Sequence, residues 1–144
     1  MSGLKNRIAR WRLQLQAVLC CHIPRRYLKT VRFPHPMGIV IGDGVRIGRD
    51  VRIYQNVTIG LTENLVGARP EDYPTIEDEV FIYAGAVIFG AITIGARSIV
   101  GANAVISRDI PPDSIAYGYN QFRPRSAKSE GERPRIAERA VKSG

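Results

Sequence analysis

Residues 41–60 read IGDGVRIGRDVRIYQNVTIG, and residues 75–106 read TIEDEVFIYAGAVIFGAITIGARSIVGANAVI. An aliphatic residue recurs every six positions: Ile41, Ile47, Ile53 and Ile59, then Ile76, Ile82, Ile88, Ile94, Val100 and Ile106. Four positions after most of these slots stands a small or β-branched residue: Val45, Val51, Val57, Val80, Ala86, Ile92, Ser98, Ala104 and Ile110. Glycine follows the slot at 42, 48, 60, 95 and 101. An amphipathic helix repeats every 3.6 residues and a half-buried strand every 2, so neither gives a strict six. A six-residue period predicts a parallel β-helix. Each hexapeptide makes one short strand and one turn, the slot residue points inward, and each coil covers the open edge of its neighbour.

The repeat stops at residues 61–75, LTENLVGARPEDYPT, and resumes at Ile76. A patternless loop of this length within a compact repeat points to function or disorder. Upstream, Leu4, Ile8, Trp11, Leu15 and Val18/Leu19 fall on one face of an expected helix over 3–21, flanked by Lys5, Arg7, Arg10 and Arg12 and stopped by Pro24. Such a face packs on protein or lies on a membrane surface. Downstream, 123–144 is polar and charged and is read as a disordered tail. The expected domains are thus a basic helix and linker at 1–32, a β-helix at 33–122 and a basic tail at 123–144.

Net charge is +8 over 144 residues. It is unevenly placed: 1–32 carry +8, 33–122 carry −4 and 123–144 carry +4. A basic face built into the folded unit for nucleic acid is therefore not expected. No apolar run is long enough to span a bilayer and no signal peptide is legible, which places the chain in the cytoplasm, with peripheral contact at the inner membrane face through the helix as an option. Cys20 and Cys21 are adjacent and are the chain's two cysteines, so neither a disulfide framework nor a four-cysteine zinc site is expected.

The hexapeptide pattern over about 33–120 resembles the left-handed β-helix acyltransferases. Four segments are similar to the serine acetyltransferase branch: HPMGIVIG at 35–42, YQNVTIG at 54–60, YPTI at 73–76 and IPPDSIAYG at 110–118. The FPHP form of the first also resembles O-acetyltransferases of polysaccharide pathways. The resemblance implies an all-β solenoid, a left-handed parallel β-helix with an N-terminal α-helix, assembled as a homotrimer. It also implies acetyl-CoA lying between subunits as acyl donor, with no metal. His35 falls on the catalytic position. An imidazole suits a general base that takes the proton of an attacking hydroxyl, because its ordinary pKa lies near 6.5.

The departures from that branch shape the expected acceptor. Tyr73 stands where a second active-site His is usual, Asp72 replaces an Arg that holds the amino acid's carboxylate, and Pro34 replaces an Asp. A carboxylate at 72 repels a carboxylate substrate, so a saccharide or lipid-linked saccharide hydroxyl is the expected acceptor, bound by Tyr73, Asp72 and Gln55. Tyr73 reads equally as a loop anchor, and Asn56 reads as structural. The resemblance also implies cofactor contacts at Gly60, Ala84 and Ala102, where small residues let the donor approach the backbone, with Arg108 and Arg123 (or Arg97 and Arg125) at the phosphates. Three alternatives stay open. One is an amino-acid O-acetyltransferase. Another is a β-helical scaffold without activity. The third is a zinc enzyme on the same scaffold, which needs three His where the chain has His22 and His35.

Overall fold

The computed structural model describes residues 20–62 and 67–125. The expected helix over 3–21 lies outside them apart from its last two residues, as do residues 63–66 of the loop and 126–144 of the tail. The described chain winds as a three-sided parallel β-helix. One face stacks β1 (Val40–Ile41), β4 (Thr58–Gly60), β7 (Val87–Phe89) and β10 (Val105–Ile106). We call this face A. Face B stacks β3 (Arg52–Ile53), β6 (Phe81–Ile82), β9 (Ile99–Val100) and β11 (Ser114–Tyr117), and β12 (Gln121–Pro124) closes it. Face C stacks β2 (Arg46–Ile47), β5 (Thr75–Ile76) and β8 (Thr93–Ile94).

The register puts the six-residue slots in three columns. Ile41 pairs with Ile59, Ile59 with Ile88 and Ile88 with Ile106. Ile53 lies beside Ile82, then Val100 and Ala116. Ile47 lies beside Ile76, then Ile94, which bridges to Ile110. Except for half-buried Ile47, these side chains are buried. Deleting one of them would cost about 2–5 kcal/mol, because a stack with neighbours above and below cannot collapse into the gap.

The turns explain the rest of the hexapeptide. Three residues after a slot, the backbone enters the left-handed region: Asp50 (φ 54°), Asn56 (57°), Glu79 (60°), Arg97 (58°), Asn103 (56°) and Asp113 (53°), with Gly85 at 72°. Asn and Asp tolerate that region better than other side chains, whereas Glu79 and Arg97 do so under constraint from the coils on either side. Gly85 sits directly below the Asn103 side chain, and a Cβ there would overlap its Oδ1.

The first coil starts earlier than the repeat suggests. His22 pairs with Val40 on face A, Arg32 pairs with Arg52 on face B, and Ile23, Tyr27 and Val31 are buried. The Tyr27 hydroxyl donates to the Val45 carbonyl. The boundary expected at 32/33 therefore falls inside a coil, and His22 belongs to the ladder. At the other end, Ser114 to Tyr117 pair antiparallel with Pro124 to Gln121. The ladder thus runs through 122/123, and β12 covers the last parallel edge of face B. Among the described residues, no helix is long and apolar enough to cross a membrane.

Candidate active site

The corner between faces B and A carries His35, Gln55, Ala84 and Ala102 of the expected site. The Asn56 N–H donates to the Met37 carbonyl, the Gly85 N–H to Gln55 and the Asn103 N–H to Ala84. These bonds set Gln55, Ala84 and Ala102 one above another on successive coils. His35 is exposed in the coil below. Its ring centroid lies 6.2 Å from that of Tyr54, tilted by 48°, and Tyr54 stacks on Tyr83 at 5.2 Å and 17°. Among the described residues no carboxylate reaches the His35 ring, so an aromatic neighbour holds it and its nitrogens stay open to a substrate. Gln55 Oε1 is buried and makes no hydrogen bond.

Tyr73, Asp72 and Gly60 lie at the other end of face A, where the chain turns toward face C. The Tyr73 ring rests on Gly42 and Gly44; a Cβ on Gly42 would stand 2.9 Å from Tyr73 Cε1, and one on Gly44 would be closer still. Half-buried Tyr73 is thus the aromatic that seats the loop return on the scaffold. Asp72 closes a capping box, its Oδ2 accepting the Arg69 N–H at 2.8 Å, with the Arg69 guanidinium 4.0 Å away. Gly60 faces open space, with nothing within 4 Å of an added Cβ. Within one chain, the expected residues therefore occupy two separate edges of a prism.

The basic candidates also separate. Arg97 grips Asp113 through two hydrogen bonds, 2.8 Å at Nε, and Arg125 donates to the Arg97 carbonyl at 3.0 Å. Both are committed to the corner between faces C and B. That hydrogen-bonding by Arg97 holds the Asp113 carboxyl below its ordinary range. Arg49 does the same for Asp78, first through its backbone N–H and then through its guanidinium. The Arg108 guanidinium lies 5.6 Å over the Phe122 ring. Arg123 is exposed on β12 and makes no ion pair among the described residues. No group of three His, Cys, Asp or Glu among those residues could hold a metal ion.

Residues 73–108 match the family described as bacterial transferase hexapeptide (six repeats). Over that stretch the chain carries the hexapeptide repeat of this family. Its fold is the left-handed parallel β-helix shared with serine acetyltransferases of known structure. Over 84 residues, 58% of the chain, it is 43% identical to serine acetyltransferase of Mycobacterium tuberculosis, covering 35% of that protein. It is 45% identical over 84 residues to the Helicobacter pylori enzyme, covering 47% of it. Soybean serine acetyltransferase complexed with serine superimposes with a TM-score of 0.57 at 42% identity, over 65% of this chain and 37% of that one. A serine acetyltransferase in complex with CoA gives 0.55 at 36%, over 61% and 34%. The hexapeptide-repeat chain thus spans between a third and a half of the curated relatives named here.

These relatives overturn the saccharide acceptor and the polysaccharide pathway expected from Asp72 and Tyr73. The physical reason lies in the loop. Asp72 was read as a free charge facing a substrate, but its carboxylate is spent on the Arg69 N–H, with the Arg69 guanidinium beside it. Two features were missed altogether. The Tyr54–Tyr83 stack is legible in hindsight as Tyr at one position after the slot in successive coils of face B. The left-handed turn position is legible in part, as Asp50, Asn56, Gly85, Asn103 and Asp113 three positions after the slot, but not at Glu79 and Arg97.

Proposed function

We propose that this protein transfers an acetyl group from acetyl-CoA to the side-chain hydroxyl of serine or a closely similar amino acid. The observation that carries the reading is the run of 42–45% identity to serine acetyltransferases over 84 residues. His35, at an exposed corner with free ring nitrogens, is the general base. It takes the hydroxyl proton as the oxygen attacks the thioester carbonyl and returns it to the leaving CoA thiolate. The proposed donor passes Ala84 and Ala102, where small side chains let a thin arm lie against the backbone. Gln55 and Tyr73 serve the acceptor.

A homotrimer fits this reading. One prism cannot bring its two edges together, but the His35 edge of one copy and the Gly60–Tyr73 edge of another can line one cleft. An enzyme of this kind works in the cytoplasm; membrane contact through residues 3–21 adds nothing to the chemistry. The test is an acceptor panel that follows thiol release from acetyl-CoA. Serine-dependent release above the rate with glucose or galactose supports the proposal. Equal release with and without serine rejects it.

A further inference from the structure

The segment that carries His35 is two residues longer than the repeat allows. On face B, Arg32 pairs with Arg52, Arg52 with Phe81 and Phe81 with Ile99. At the corner that follows, the Asn56 N–H donates to Met37, the Gly85 N–H to Gln55 and the Asn103 N–H to Ala84. Gln55 comes three positions after Arg52 and Ala84 three after Phe81, but Met37 comes five after Arg32. The first coil therefore bulges at Phe33-Pro34-His35-Pro36, between its face B bridge and a corner in normal register. Phe33 packs against the core, whereas Pro34, His35 and Pro36 are exposed. His35 stands 18 positions before Ile53, one regular coil, yet the bulge keeps it out of the buried column that Ile53 belongs to.

An extruded segment of this kind wanders unless it is tied down. Here the ties come from within and from both sides. The prolines fix φ at 34 and 36, and Pro36 biases His35 toward extended backbone. The Met37 N–H donates to the His35 carbonyl at 2.8 Å, across Pro36. Asn56, one coil above, lies over Gly38, where an added Cβ would overlap its Oδ1, and its N–H reaches the Met37 carbonyl at 2.8 Å. The Cys21 thiol closes the segment from below. Its Sγ donates to the Pro36 carbonyl at 3.1 Å and accepts the Ile39 N–H at 3.4 Å. Ile39 is fully buried, so one end of this clasp is rooted in the core.

We propose that Cys21 and Asn56 are positioning residues that clamp the bulge from two sides and set the His35 imidazole for catalysis. The inference rests on His35 being the general base. Among the described residues no carboxylate orients its ring, so the backbone beneath it does the placing. Loosening the clamp moves the imidazole without altering its chemistry. Turnover then falls while donor affinity holds, since a displacement of about 1 Å costs up to about a hundredfold in rate. A hydroxyl can replace the thiol, because it too donates and accepts through one atom.

The test compares Cys21→Ala, Cys21→Ser and Asn56→Gly in the full chain. Serine-dependent thiol release from acetyl-CoA is followed against pH, with amide hydrogen exchange at Met37 and Ile39 on the same samples. Cys21→Ala is expected to lower kcat about ten- to a hundredfold, with an unchanged KM for acetyl-CoA and an unchanged pH midpoint, and to speed exchange at both amides. Cys21→Ser is expected to restore both readouts. Asn56→Gly keeps the left-handed backbone, removes the side chain over Gly38 and is expected to lower kcat in the same way; it decides the matter if Cys21→Ala fails to fold. Unchanged kcat in the folded variants, with or without faster exchange, overturns the positioning role while leaving the acyltransferase reading standing. Absence of serine-dependent release by the unaltered chain overturns that reading itself. Exchange then decides the clamp alone, and unchanged exchange in Cys21→Ala overturns it.

Discussion

The Tyr73 ring occupies the space where Gly44 lacks a side chain, so a glycine 29 positions earlier in the chain seats the loop return. Gly44→Ala would push the ring off the corner. The expected cost is about 1–3 kcal/mol, as for other overpacked sites. In a Tyr73→Ala background the same substitution should be nearly neutral. A double-mutant cycle from urea unfolding reads the difference, and additive effects would show that ring and glycine do not touch.

Asn103 holds a left-handed backbone at φ 56° above Gly85. Asn103→Ala should destabilise by about 1–2 kcal/mol, the penalty for a Cβ in that region without Asn's local compensation. Asn103→Gly should cost less, because glycine adopts the conformation freely. Midpoints of urea unfolding compare the two. Equal losses would mean that the side-chain contact, and not the backbone, sets the cost.

Asp78 and Asp113 tie successive coils through Arg49 and Arg97. Their carboxyl pKa values are lowered in the folded chain, so the unfolded chain binds protons first as pH falls. The stability they contribute is present above the ordinary carboxylate value of about 3.9 and is lost as pH falls through the lower folded values. Thermal unfolding should show a shallower acid decline in the Asp78→Asn/Asp113→Asn double variant. Added salt should shrink the difference between variant and parent, since both pairs are exposed.

The sequence made the solenoid legible because its core repeats. Every slot from Ile41 to Ile106 falls in a strand, and the loop leaves and re-enters where the period breaks. The terminal coils were hidden by the same physics. A coil with a neighbour on only one side need not offer an aliphatic slot, and His22 and Arg32 join the ladder through backbone alone. The hairpin into β12 turns at Gly118 and Asn120, both at positive φ, which a search for six-residue spacing passes over. At the site, His35 was legible from its motif. Asp72 was not, because its meaning depends on Arg69, and the capping contact between them belongs to a local turn rather than to the repeat.

The measurement closest to the central proposal is the serine-dependent release of CoA by the chain and by its His35→Ala variant. A general base contributes about 10²–10⁴-fold, so kcat should fall by that factor while the KM for acetyl-CoA stays the same. Equal kcat values for the two proteins would contradict the account, since among the described residues no other imidazole stands on the corner that Gln55, Ala84 and Ala102 share.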